Sequence, residues 1–267
     1  AILLLATTSP AAAGPWTKSP GELYVKVGEN FFASESYVDS SGVVHDGTKY
    51  FGASTFTYFE VGFAPKLQVV GYLPFTIARN TFPDGNAHLQ SGGGDALIGV
   101  QWSPPIPVIQ TAIRGDVKIP MYDVGALKGP LAMRFPAFGD GQVDVTLWWS
   151  AGGGLPGTPL YLWGEAGYRI RTEGYVGQGD VRTFADSFVW AGQVGVTVPD
   201  KMWFAVTVNG VAPFREDAVT KGYLTVGPSV GVRPVKWLAI EASFDPIVWA
   251  RNSSPGVGFG AGVSISR

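Results

Sequence analysis

The sequence predicts an all-β chain: a single closed antiparallel transmembrane barrel of about twelve strands, with short turns at one end and longer loops at the other. Three observations carry that expectation. Side chains alternate apolar and polar at period two in segment after segment, the segments run to about ten to fourteen residues, and the connections between them alternate short and long.

Residues 108–119 show the alternation most plainly. Ile109, Thr111, Ile113, Gly115, Val117 and Ile119 fall on one face, and Gln110, Ala112, Arg114, Asp116 and Lys118 on the other. Successive side chains of a strand point to opposite sides of its sheet, so this segment separates an oily surface from a charged one. The pattern places strands at 21–33, 50–63, 66–78, 94–103, 107–120, 142–151, 159–172, 186–198, 201–212, 221–233, 236–247 and 256–266. Each is long enough to cross a bilayer at a tilt, whereas strands of soluble proteins are typically about five or six residues long. No segment holds a 3.6-residue apolar stripe for three turns, and no run approaches the length of a helical span. A closed barrel needs neither, because it satisfies its backbone internally.

Short connections are expected near Ala64-Pro65-Lys66, Ser103–Ile106, Gly152–Thr158, Pro199-Asp200 and Pro234-Val235. Long ones cover roughly 34–49, 79–93, 121–141, 173–185, 213–220 and 248–255. Twelve antiparallel strands with both termini at the short-turn end require this asymmetry, which is that of barrels with short periplasmic turns and longer extracellular loops.

Composition agrees. Charged residues make up 15 % of the 267, against roughly 25 % in soluble proteins. A net charge of −2 gives no electrostatic footprint for nucleic acid, and the absence of cysteine excludes disulfides and thiolate sites. At the N-terminus an apolar run, Ala1 to Ala6, precedes the small residues Ala11-Ala12-Ala13-Gly14. Residues 1–13 read as a signal-peptide remnant and 14–267 as one barrel domain.

The apolar set, from Leu23, Val25 and Val27 to Phe259, Val263 and Ile265, contains no charge. Trp102, Trp149, Trp190 and Phe75 fall near predicted strand ends on it, where a lipid-facing aromatic girdle belongs. The opposite face carries Lys26, Glu60, Arg114, Asp116, Lys118, Asp144, Glu165, Arg169, Arg171 and Glu241, interleaved with Trp148 and Trp163, and is expected to line the lumen. Alternation alone leaves the direction open, since a soluble barrel or sandwich would bury the apolar face. Strand length, large aromatics among the charges and the secretion-like N-terminus favour apolar out. Lys118, Asp144 and Arg171 should then meet toward the long-loop end, with Arg114, Asp116, Glu165 and Arg169 below them. They serve either as mutually neutralising pairs or as a substrate site. Gly258, Gly260 and Gly262 leave room that either Trp237 and Tyr24 fill or a passage uses, and the favoured reading is that these glycines serve sheet curvature. Twelve strands lie between barrels filled by side chains and open porins, so a narrow, partly obstructed lumen is expected.

Signs of catalysis are weak. The two histidines, His45 and His88, lie in predicted outer loops without metal-ligand spacing, and no cofactor or metal is expected. A lipid-cleaving site would need a Ser–His pair, and Ser36, Ser40, Ser41 and Ser91 are the serines near these histidines in sequence. Gly92–Gly94 and Gly152–Gly154 read as turns, because neither opens a phosphate-binding helix. Asp123, Asp140, Asp180 and Asp186 read as solvated loop acids, with divalent ions or lipopolysaccharide as the functional alternative.

The run from Phe59 through Gly62-Phe63-Ala64-Pro65-Lys66-Leu67 to Tyr72-Leu73-Pro74-Phe75 resembles a hairpin of the meta-pathway of phenol degradation family of outer-membrane transporters. So do Gly94–Val100, Val117-Lys118-Ile119-Pro120 and Gly164–Arg169, in order over roughly residues 50–245. The resemblance implies uptake of small aromatic or hydrophobic molecules across the bacterial outer membrane, and no catalytic residue. One departure is the ending Ser264-Ile265-Ser266-Arg267, where outer-membrane barrels usually finish on an aromatic residue. The functional expectation is a non-enzymatic channel with a narrow polar lumen; the alternative is a closed structural barrel that anchors a partner. Expected partners are the bilayer, lipopolysaccharide, a small permeant and a protein of the same membrane.

Overall fold

The computed structural model describes residues 14–106, 109–122, 134–175, 181–198, 201–217 and 219–267. The signal-remnant expectation for 1–13, the Pro199-Asp200 turn, Asp123 and Asp180 lie outside these residues.

The described chain is built from strands. In order they are β1 (Leu23–Val38), β2 (Val44–Ala64), β3 (Leu67–Thr81), β4 (Ala87–Gly93), β5 (Asp95–Trp102), β6 (Gln110–Pro120), β7 (Asp144–Gly154) and β8 (Leu160–Arg171). They continue with β9 (Glu173–Tyr175), β10 (Val181–Thr183), β11 (Ser187–Val198), β12 (Met202–Pro213), β13 (Gly222–Val235), β14 (Leu238–Arg251) and β15 (Val257–Ser266). Each strand of the main sheet pairs antiparallel with its neighbours, β1 pairs with β15, and the β2–β3 pairing closes the ring. Both β4 and β5 pair with β3, so they form one stave broken at Gly94, and the barrel has twelve staves. β9 and β10 form a separate small hairpin.

Two predicted loops are largely strand. The β1–β2 ladder continues to Val38↔Val44 and the β3–β4 ladder to Thr81↔Ala87, so 34–49 and 79–93 are hairpins standing beyond the ring. Their polar, glycine-bearing sequences resemble loop because most of their residues stand clear of lipid and core, Ser34, Val38 and Asn80 being the buried ones. The longer strands also move Trp149 and Phe75 away from strand ends, into the bodies of β7 and β3.

Burial follows the period-two pattern with apolar residues outside. Leu147 and Trp149 are 61 % and 58 % exposed, while Glu60 and Asp144, on the other side of the wall, are 1 % exposed. An outer coat that is apolar almost throughout, with Glu29 bonded to Thr55 as an exception, over buried charge is unstable in water and stable in lipid, so the wall is that of a membrane barrel. Large inner aromatics fit because glycines face them across the ladder. Trp148 lies over Gly167, Tyr161 over Gly195 and Trp203 over Gly231, each a register pair in which a Cβ would collide with the ring, and at Gly152 a Cβ would meet the base of the Trp163 side chain. On the outer side Trp190 covers Gly210 in the same way. At the short-turn end, Pro65 and a left-handed Lys66 (φ 62°) reverse the chain between β2 and β3.

Candidate functional site

The register assembles the inner charges into ladders. Lys118 on β6 lies opposite Asp144 on β7, which lies opposite Arg171 on β8. Lys118 Nζ is 3.1 Å from both Asp95 and Asp144, and Arg171 Nε is 3.4 Å from Asp144. Nearer the turn end, Arg114 meets Asp116 at 3.2 Å and Glu165 at 3.5 Å, and stacks its guanidinium 5.1 Å from the Trp148 ring. The Trp148 indole donates to Asp116 at 2.8 Å. On the opposite wall Lys26 and Glu241 pair at 2.6 Å. Trp163 donates to Gln193, which also accepts from Tyr161. These pairs are buried, so each partner desolvates the other and holds it in place.

At the long-loop end, residues 134–142 fold into the mouth. Phe138 is buried against Phe32, Tyr50, Ala78 and Ile247. Asp140 accepts from Lys221 at 2.6 Å and from Arg171 at 2.8 Å, and Tyr122 bridges Asp95 and the Gly141 backbone. Asn80 donates to the Arg134 carbonyl. Burial works to raise the Asp140 carboxyl, but Lys221 and Arg171 outweigh it and hold the group down at about 2. Asp140 is therefore no solvated loop acid; it is the anchor of an inward-folded loop. Asp186, in the loop before β11, accepts from Tyr168 and from the Arg171 backbone, and the Tyr168 hydrogen bond leads in keeping its carboxyl low.

The short-turn end holds an arrangement with no counterpart in the sequence reading. Residues 14–18 run inside the barrel before β1 begins, held mainly by neutral side chains and by one ion pair. Gln101 donates to the carbonyls of Gly14 and Trp16 at 3.0 and 3.2 Å, and Gln110 and Ser103 donate to that of Pro15. Gln68 accepts from the Lys18 backbone at 2.7 Å, and Lys18 Nζ reaches Glu60 at 3.5 Å. Glu60 in turn accepts from Tyr58 at 2.7 Å. The available signal was three inner-face glutamines on neighbouring strands, each near a short turn; a ladder of amides without charges implies a backbone to bind.

Between the two mouths lies a series of cavities. An inner chamber of about 300 Å³ is bounded by Trp16, Trp163, Trp203 and Arg233. A central chamber of about 190 Å³ lies among Phe56, Tyr72, Trp148, Val189 and Tyr223, and an outer vestibule of about 210 Å³ lies under Asp140 and Lys221. The central and outer spaces share Tyr72, Leu97, Arg169, Val211 and Tyr223 as walls. A narrow neck of about 10 Å³, bounded by Lys26, Glu241 and Phe56, adjoins the inner and central spaces.

Two further alternatives weighed from the sequence find their places here. Trp237 sits exposed in the turn before β14, and the room beside Gly262 is taken by the stem of Lys26, because the pair with Glu241 draws that lysine across the wall. His45 bonds Asp39 at 2.7 Å, and Asp39 also accepts from Ser41, so the acid stands between histidine and serine and no hydroxyl faces the imidazole. That His45 contact, followed by Ser41, keeps the Asp39 carboxyl well below its ordinary value. His88 is packed between the Phe82 and Phe135 rings. Among the described residues, no group of three or more His, Cys, Asp or Glu side chains is placed to hold a metal ion.

No family model matches the chain, and no curated protein matches it in sequence. Solved structures do match in shape. The COG4313 outer membrane channel from Pseudomonas putida F1 superposes with a TM-score of 0.75 at 9 % identity, covering 96 % of this chain and 99 % of that one. The NanC porin gives 0.55 at 11 % identity over 91 % of this chain and 98 % of its own. The translocator domain of the autotransporter NalP from Neisseria meningitidis gives 0.53 at 10 % identity, over 93 % and 89 %. With its closed ring of twelve staves and its apolar outer coat, the chain has the fold of the bacterial outer-membrane β-barrels.

Proposed function

We propose that the protein is an outer-membrane channel that passes small molecules through a narrow polar lumen. The observation that carries this reading is the succession of cavities from the Asp140 vestibule to the Trp16 chamber, inside a wall whose outer face is apolar. A barrel serving only as an anchor needs no such space. Channel and porin neighbours of the same fold agree with it. Lys26, Glu60, Arg114, Asp116, Lys118, Asp144, Trp148, Trp163, Glu165, Arg169, Arg171 and Glu241 form the lumen surface in this reading. Trp102, Trp149, Trp190 and Phe75 contact lipid, with lipopolysaccharide outside. The aromatic lining of the central chamber suits permeants that are small and aromatic or otherwise hydrophobic, in keeping with the resemblance to the phenol-degradation transporter family.

Swelling of liposomes containing the purified protein tests the reading: small solutes should enter and larger sugars should not. The second reading, a closed barrel that anchors a partner, draws on the narrowing of both mouths. It would be upheld by the absence of flux for every solute, including after residues 14–18 are freed from their glutamine contacts.

A further inference from the structure

The inner-face cations differ in one respect. Lys18, Lys26, Arg114, Lys118, Arg171 and Lys221 each have a carboxylate within 3.5 Å, and Arg233 lies 5.0 Å over the Trp203 ring. Arg169 has no ion pair, hydrogen bond or ring contact among the described residues. Its register partners explain why: across the ladder it faces Thr146 on β7 and Ser187 on β11, neither of them acidic. Two residues away, Gly167 lies between Trp148 on one side and Val189 on the other, so the wall beside the guanidinium is flat and apolar. Arg169 also borders both the central chamber and the outer vestibule.

We infer that Arg169 is the anion-binding point of a site for small ring-bearing monocarboxylates, which rests on the channel reading above. A guanidinium is charged at every accessible pH and takes a carboxylate through two parallel hydrogen bonds. Leaving it without an acid partner in a half-buried wall is costly, and an incoming carboxylate removes that cost. The apolar remainder of such a molecule then lies against Trp148, Val189 and Tyr223. The central chamber, about 190 Å³, has room for one ring, since a cavity of roughly 150 Å³ accepts benzene. Deeper in, Arg114 is already committed to Asp116 and Glu165, so the chamber offers a second negative group no free cation. The site therefore selects one charge at the outer end and a neutral ring below it.

The test uses full-length protein and the isosteric probes benzoate and benzamide. Quenching of tryptophan fluorescence in detergent reads binding, and flux into proteoliposomes reads passage. Wild-type protein should bind benzoate at least about tenfold more tightly than benzamide, the scale of one charge-assisted pair. Arg169→Gln should abolish the difference and Arg169→Lys should keep part of it, with heat-modifiable gel mobility confirming that each variant folds. Equal binding of the two probes by wild type, or an unchanged preference in Arg169→Gln, overturns the inference; should that variant not fold, Arg169→Met, which keeps an apolar stem without the charge, is read in the same way. Arg169-dependent binding without flux of any solute upholds the site and overturns the channel reading. Flux without preference does the reverse.

Discussion

At the outer mouth, residues 134–142 are held by charge: Asp140 meets Lys221 and Arg171 at 2.6 and 2.8 Å. At the inner mouth, residues 14–18 are held mainly by neutral groups, with Gln68, Gln101, Gln110 and Ser103 bonding backbone atoms at 2.7 to 3.2 Å. Both segments narrow the lumen, but the outer one rests chiefly on ion pairs, whereas the inner one adds the Lys18–Glu60 pair to a set of neutral bonds. Amide-to-backbone bonds are indifferent to pH across the range in which carboxylates titrate. The difference implies that the two mouths open under different conditions, and each can be perturbed without the other.

The largest effect is expected at the inner mouth. Replacing Gln68, Gln101 and Gln110 together by alanine removes four hydrogen bonds, roughly 2–5 kcal/mol in sum, enough to favour release of residues 14–18. Conductance in planar bilayers at pH 7 should rise severalfold; an unchanged conductance would show that the segment does not limit flow. Next comes Asp140→Asn, which leaves Lys221 and Arg171 without their shared carboxylate. Conductance should rise less, and the reversal potential in a salt gradient should shift toward anions. A shift toward cations would contradict the assignment.

The third expectation concerns pH. Burial opposes ionisation of Asp140, but its two cations hold the carboxyl at about 2, below the ordinary 3.8. A depressed pKa in the folded state contributes stability that is complete above the ordinary value and is lost as pH falls through the depressed one. The outer contact should therefore hold from pH 7 to about 4 and release only toward pH 2. Asp140→Asn should abolish whatever part of the pH response arises there. The smallest effect is expected from Phe138→Ala, which truncates a buried ring at a cost of about 2–4 kcal/mol, less than in a deep core because the loop can shift. The thermal unfolding midpoint should drop by a few degrees while the pH response of the outer mouth remains. Loss of that response would show that the ring, and not the ion pairs, holds the loop.

The ring of the barrel was legible because each strand crosses two solvents, and period two records both. The ladder Lys118–Asp144–Arg171 could be anticipated for the same reason: once neighbouring strands are known, alternation leaves few registers. The hairpin extensions of β1–β2 and β3–β4 were not legible, since strand residues that are mostly clear of lipid and core carry no sustained apolar alternation. Asp140 read as a solvated acid because nothing local to 121–141 shows that the segment turns inward. Its partners Arg171 and Lys221 are 31 and 81 residues away in sequence. The role of the inner-mouth glutamines was not legible, because their partner is main chain and main chain leaves no mark in composition.

The alternation 109–119 and its counterparts thus determined the fold, the strand order and the division between a lipid-facing coat and a polar interior, all consequences of where a strand sends successive side chains. Tertiary structure decided what occupies that interior. It folded Phe138 and Asp140 into one mouth, drew Gly14–Lys18 into the other, and left Arg169 facing Thr146 and Ser187 without an acid. These outcomes depend on register and on segments distant in sequence meeting inside a closed ring, and no local pattern encodes such meetings.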